Sequence, residues 1–274
     1  MKKLSARRRH PLAAVVVLLL ALAATGGLYT AFAPASKAKA EDTAQSLAIE
    51  EGKKLYDVSC ATCHGPNGEG VSTRGPSLIG VGAAAVDFQV GTGRMPAMQP
   101  GAQIPAKPPV FDEKETAALA AYVASLGPGP AIPGKEQYDP EGLTDAEIAE
   151  GGNLFKTNCA GCHNVSGKGG ALPWGKYAPS LDGVSDKHIF EAMLTGPQQM
   201  PVFSDGVITP EDKKKIIGYL DTIRSEPSAG GLTLGGLGPV SEGLWGWLIG
   251  IGALVVATVW IAARGSKVKK GHGE

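Results

Sequence analysis

The 274-residue sequence predicts an all-α protein in which two tandem helical domains with long ordered loops lie between two apolar helices, one at each end. Three observations predict it. Two blocks in the middle of the chain repeat one another. The regular segments inside them carry helix caps, and the chain between is rich in Gly and Pro without the apolar–polar alternation of strands. Each end of the chain contains an uncharged apolar stretch long enough to cross a bilayer.

In chain order, residues 1–40 come first, with seven basic and no acidic residues. Arg7, Arg8 and Arg9 precede an apolar run from Pro11 to Ala33, which reads as a signal peptide or a signal anchor. Its 23 residues are long for a signal core and favour the anchor. The first repeat follows over residues 41–130, opening on a helix from Asp42 to Asp57 with Leu47, Leu55 and Tyr56 set among charges. It continues through Cys60-Ala61-Thr62-Cys63-His64, Gly75-Pro76-Ser77-Leu78 and Met95-Pro96 to a helical pattern ending at Ala121-Tyr122-Val123. The Gly127–Gly134 run, with its prolines, cannot continue a helix, and residues 131–143 form the linker.

The second repeat spans residues 144–226. Thr144 with Glu147 three positions on is a capping box for its first helix. Cys159-Ala160-Gly161-Cys162-His163, Ala178-Pro179-Ser180-Leu181 and Met200-Pro201 follow in the same order, and Thr209 with Pro210 at the first helical position opens its last helix. The offset between repeats grows from 99 residues at the first Cys to 103 at the Pro and 105 at the Met, so the duplication has gained short loop insertions. Residues 227–242 form the second linker, and the Gly/Ser-rich stretch from Ser225 to Pro239 reads as a flexible tether. Residues 243–263 then run 21 positions without a charge, bracketed by Trp245, Trp247 and Trp260, and read as a transmembrane helix. Residues 264–274 are a basic tail, placed in the cytoplasm by the positive-inside bias.

The formal net charge of zero, 26 Lys+Arg against 26 Asp+Glu, lacks the basic excess of a nucleic-acid binder. The zero conceals an asymmetry. Residues 1–40 carry +7 and residues 241–274 +2, whereas residues 41–240 hold 15 basic and 24 acidic groups, a net of −9. Two basic ends expected on the cytoplasmic side of a cell membrane thus flank an acidic part expected outside, and that charge could steer a basic partner or simply keep the domains soluble. With 43% hydrophobic and 19% charged residues, the composition excludes full-length disorder.

All four cysteines fall in two C-x-x-C-H segments, the attachment pattern of c-type haem. Two thiols join the two vinyl groups on one edge of the haem, and the adjacent His is carried beneath the iron as proximal ligand. Cys60, Cys63 and His64 would hold one haem, and Cys159, Cys162 and His163 the other. A zinc ribbon brings its Cys pairs within about 20 residues, not 99. Disulfides would suit an exported domain but leave both His unexplained. A redox-active C-x-x-C belongs beside a βαβ pattern that is missing here. Haem also supplies core to repeats of fewer than about 100 residues. Met95 and Met200, at matching places before Pro, are the candidate sixth ligands, with Met98, and Met193 or His188, as rivals. Two filled axial positions indicate electron transfer without substrate chemistry.

These motifs, with the C-terminal span and basic tail, resemble the dihaem cytochrome c subunit (cytochrome cc) of the actinobacterial cytochrome bc1 complex, a menaquinol–cytochrome c reductase. The resemblance covers nearly the whole chain. It implies two class I cytochrome c domains and two covalently bound haem c. The Cys60, Cys63, Cys159 and Cys162 thiols would hold the haems, with His64, Met95, His163 and Met200 on the irons. It further implies a subunit of a translocase that takes electrons from a Rieske iron–sulfur protein, beside cytochrome b, and passes them to an aa3-type oxidase in a supercomplex. The dihaem subunit of a cbb3-type oxidase or of a periplasmic dehydrogenase shares the haem motifs but usually anchors N-terminally or differs in haem count. A dihaem peroxidase would need one displaceable ligand.

Overall fold

A glycine one position after Glu51 and another after Glu150 set the architecture, because at each the first helix of a repeat passes against the last. The computed structural model describes residues 11–32, 35–225, 234–236 and 239–270. Its helices run in chain order α1 Pro11–Phe32, α2 Ala35–Ser59, α3 Ala61–His64, α4 Ala83–Gly91, α5 Glu113–Ser125 and α6 Lys135–Tyr138, then α7 Asp145–Asn158, α8 Ala160–His163, α9 Asp186–Thr195, α10 Pro210–Ser225 and α11 Pro239–Lys270.

In the first repeat α2 crosses α5, and a Cβ built on Gly52 would lie 1.9 Å from the carbonyl oxygen of Ala118. In the second, α7 crosses α10, and a Cβ on Gly151 would lie 2.0 Å from that of Lys215. Only glycine permits such an approach. One turn further along each crossing sits an aromatic pair, Tyr56 with Tyr122 at 5.0 Å between centroids and Phe155 with Tyr219 at 5.6 Å. Such pairs contribute about 0.5–1.5 kcal/mol beyond their area. Around them two separate cores form, one with Val86, Leu119 and Val123, the other with Phe190, Ile216 and Leu220.

The Thr144–Glu147 capping box is present, with the Thr144 backbone N–H donating to Glu147 Oε2 at 2.8 Å. Thr209 Oγ1 accepts from the Asp212 N–H at 3.2 Å, with Pro210 at the head of α10. A second box, Asp112 with Glu115, opens α5. Helices α4 and α9 add to those read from the sequence, and α9 is amphipathic, burying Ile189, Phe190 and Met193 behind a Ser185 cap. Helix α4 is almost uniformly apolar and buries five of its nine residues, so it shows no polar face to read. A two-residue antiparallel pair, Gly170–Ala171 against Tyr177–Ala178, is too short to show alternation.

The Gly/Pro run after α5 is packed, not loose. Ala84 N–H donates to the Pro130 carbonyl at 3.1 Å, and a Cβ on Gly129 would lie 2.5 Å from the Gly80 oxygen. Within residues 131–143, α6 packs on α10. Of the expected tether, residues 226–233 and 237–238 lie outside the described residues, as do Arg7, Arg8, Arg9 and the last four residues.

Helices α1 and α11 expose their apolar side chains all round, and the segments Leu12–Tyr29 and Val240–Arg264 are each long and apolar enough to cross a membrane. Arg264 stacks its guanidinium 4.5 Å from the Trp260 ring centroid, an arrangement suited to an interface where an apolar ring meets a charged head.

Candidate functional site

Each C-x-x-C-H segment starts where a long helix stops. Helix α2 ends at Ser59 and α7 at Asn158, and the next four or five residues form one further turn. The backbone bonds of the two turns match one for one. His64 N–H donates to Cys60 O and His163 N–H to Cys159 O, both at 2.9 Å, while Gly70 N–H reaches His64 O at 2.7 Å and Gly169 N–H reaches His163 O at 2.9 Å.

The chain then returns beneath each imidazole. Nδ1 of His64 lies 2.8 Å from the carbonyl oxygen of Pro76, and Nδ1 of His163 lies 3.0 Å from that of Pro179. A carbonyl can only accept, so each Nδ1 carries the proton and each Nε2 keeps its lone pair for a metal. Gly75 is needed for the first return, since a Cβ there would meet Cys63 O at 2.8 Å and the His64 ring at 3.1 Å. These prolines stood out in the sequence only as repeat landmarks; the role of their carbonyls leaves no residue-type signal.

Burial pushes the thiols of Cys60 and Cys159 up to about 11, with Cys63 and Cys162 respectively adding to the shift. An activated redox thiol shows the reverse, a depressed value. Burial also lowers the pKa of His163, against its bond to Pro179, which favours the neutral, ligating ring. None of the four cysteines is in a disulfide.

In the second repeat Cys159, Cys162, His163 and Met200 all line one cavity of about 350 Å³. This is within the usual range of cofactor pockets, about 300–1,000 Å³. Leu181, Ile189 and Phe203 supply apolar wall. Two thiols on one edge, an imidazole nitrogen, a thioether and an apolar lining fit a c-type haem. In the first repeat Cys60 and Met95 pack against one buried cluster, and His64 is buried beside it. The rivals separate. Met98 is 92% exposed, Met193 is buried and also lines the cavity, and His188 sets its Nε2 3.7 Å from Asp87 Oδ2.

The second cavity is completed by the first repeat. Phe88, Arg94, Gln103 and Ile104 reach its wall. Gln103 donates from Nε2 to Tyr177 O at 2.6 Å and accepts from Tyr177 N–H at 3.0 Å. Gln198 does the same with Ile104, at 2.9 Å to its carbonyl and 3.1 Å from its N–H. Arg94 stacks over Phe88 at 4.8 Å, and burial lowers its pKa. The loop responsible is an insertion. Seventeen positions separate Met95 from the cap Asp112, whereas nine separate Met200 from Thr209. The fall in offset from 105 at the Met to 97 at the helix cap could have shown its place but not what it touches.

A cytochrome c family model matches residues 49–127, and the model of subunit III of cbb3-type cytochrome c oxidase matches residues 146–220. The cytochrome bc1 complex cytochrome c subunit of Corynebacterium diphtheriae is 47% identical over 96% of this chain and 98% of its own length. That of Mycobacterium tuberculosis is 46% identical over 94% of this chain and 93% of its own. The chain belongs to the cytochrome c subunits of the cytochrome bc1 complex. Both repeats are cytochrome c domains, and the cofactor class that the cysteines mark is haem c. A cbb3-type oxidase subunit CcoP of Helicobacter pylori is 27% identical over only 48% of this chain, so the likeness to that oxidase stops at part of the molecule. As a cytochrome bc1 cytochrome c subunit, this chain pairs its haem domains with two apolar helices that make it a membrane-anchored protein.

Proposed function

We propose that this chain carries electrons through two haem c groups, from a Rieske iron–sulfur protein beside cytochrome b to an aa3-type oxidase held in the same supercomplex. The observation that supports this best is the duplicated His–carbonyl pair, which leaves the Nε2 lone pair of each His free beside its Cys pair in sequence. Haem c supplies a one-electron iron couple when bound. His64 and His163 would take one axial position of each iron, and Met95 and Met200 the other. The Pro76 and Pro179 carbonyls hold the imidazole protons on Nδ1, so the rings stay neutral and aligned.

The contact of the two repeats has a use in this reading. The first repeat walls the second cavity with Phe88 and Arg94, and Arg94 stands one residue before Met95, so the two sets of candidate ligands meet at this contact. The acidic middle of the chain, net −9, would lie outside the cell membrane and the tail after Arg264 inside, following the positive-inside bias.

The test is extraction from membranes in mild detergent through an affinity tag on this chain. Cytochrome b, a Rieske protein and aa3-type oxidase subunits should be recovered together, and added quinol should reduce the haem c of that preparation. Recovery of this chain alone, or with a soluble dehydrogenase, would contradict the reading.

A further inference from the structure

Where α4 of the first repeat meets α9 of the second, three side chains with metal-ligating atoms turn towards one another. Asp87 comes from α4, and His188 and Glu191 from α9, one helical step apart. One ligand atom from each lies within 4.8 Å of the others. Glu191 is 0% exposed, and neither of its carboxylate oxygens has a hydrogen-bond partner. Asp87 is also buried, and His188 is held edge-on by Phe88 at 6.1 Å between centroids. His188 also lines the second cavity, but none of the three is among the residues proposed to ligate the haem irons, His64, Met95, His163 and Met200.

We propose that Asp87, His188 and Glu191 form a binding site for a divalent cation of the zinc class, shared between the two repeats. A buried carboxylate needs a charge partner, and the cations facing this cluster do not suffice. Lys187 reaches Asp87 Oδ2 at 2.6 Å, and Arg94 acts on His188 but is stacked on Phe88. Two carboxylates against the one paired ammonium leave a negative charge on Glu191. Two remedies exist, a proton or a cation. Without a cation Glu191 takes the proton, burial and the neighbouring Asp87 pushing its pKa up to about 9.

A divalent ion balances both carboxylates at once and frees Lys187, whose side chain is 34% exposed and has solvent to swing into. One imidazole nitrogen and two carboxylate oxygens are a donor set that zinc accepts, with a fourth position left for water. Softer thiolate-seeking metals and purely oxygen-seeking ones fit it less well. Because ligands must shed protons to bind metal, occupation at neutral pH releases the Glu191 proton. Since Asp87 lies in one repeat and the other two residues in the next, the ion would bind the repeats together at the contact that also closes the second cavity.

The test uses the full haem-loaded chain in detergent, stripped with a chelator and titrated with zinc chloride. Zinc content is measured after equilibrium dialysis, and proton release by calorimetry in buffers of different ionisation enthalpy. Wild type should bind one zinc at least tenfold more tightly than Glu191→Gln does, and release about one proton per zinc near neutral pH. Lys187→Met should bind as tightly as wild type or tighter, because a competing cation is gone. An unchanged haem absorption spectrum serves as the folding check, and Asp87→Asn, from the other repeat, gives the same comparison if Glu191→Gln fails it. Equal zinc binding by wild type and whichever of these variants keeps its haem spectrum, or no zinc bound by wild type, overturns the proposal.

Discussion

Nδ1 of His163 stands 3.0 Å from the carbonyl oxygen of Pro179, and the same bond joins His64 to Pro76 at 2.8 Å. This bond fixes the tautomer of each ring and strengthens the imidazole as a donor towards a metal. Loosening one return loop should therefore act on one centre alone. In Pro179→Gly the weaker bond should make His163 a poorer donor, which favours the reduced iron and raises the midpoint potential of the second haem. Spectroscopic redox titration should show that midpoint moving up while the first stays in place. Two unshifted midpoints would show that the carbonyl does not tune the ligand.

The helix crossings predict a sharp contrast among glycines. Gly151→Ala would drive a methyl group to 2.0 Å from Lys215 O, a backbone atom that cannot move aside cheaply. Overpacking of this kind costs about 1–3 kcal/mol. Gly161→Ala, inside the second Cys motif, meets nothing within 4 Å and should be neutral. Thermal unfolding followed at the haem absorption should show a lower Tm for the first variant and an unchanged one for the second. Equal melting of the two would remove the crossing from the account of the fold.

Gln103→Ala removes both bonds from the first repeat to the Tyr177 backbone. Each neutral hydrogen bond is worth about 0.5–1.5 kcal/mol, so opening of this contact should become roughly tenfold easier. Hydrogen exchange at the Tyr177 amide is the readout. Unaltered protection there would mean that the inserted loop does not hold the second repeat.

Asp186 shows a pH effect of definite sign. Burial, with Asp221 nearby, raises its pKa from 3.8 to about 6. A carboxylic acid that is weaker in the folded state stabilises it below the unfolded value, and that contribution is lost as the pH climbs through about 6. Asp186→Asn should therefore flatten the stability profile of the second repeat between about pH 4 and 6. Urea unfolding across that range tests it, and an identical slope in wild type and variant would contradict it.

What could be read in advance followed from chemistry that demands particular residue types. Two thiols and a His at fixed spacing, Thr144 with Glu147 at a helix start, and uncharged runs bounded by Trp245, Trp247 and Trp260 each follow from one physical requirement. The family resemblance drawn from them agrees with the relatives of known name. Helix α4 was hidden because Ala83–Gly91 is apolar apart from Asp87 and Gln89 and has no continuous polar face. The Pro76 and Pro179 carbonyls were hidden because any residue carries a carbonyl. The walls of the second cavity were hidden for a third reason. Gln103 and Arg94 work across a boundary between repeats, and no local pattern announces a contact with residues some 70 to 100 positions away.

The central claim is that two haems, each held by one His and one Met, work side by side on this chain. The most direct measurement is a haem count on the purified full-length chain, joined to its near-infrared methionine–iron absorption in wild type, Met95→Leu and Met200→Leu. The account predicts two covalent haems per chain and loss of about half of that absorption in each variant. A single haem, or an absorption that survives intact in either variant, would contradict it.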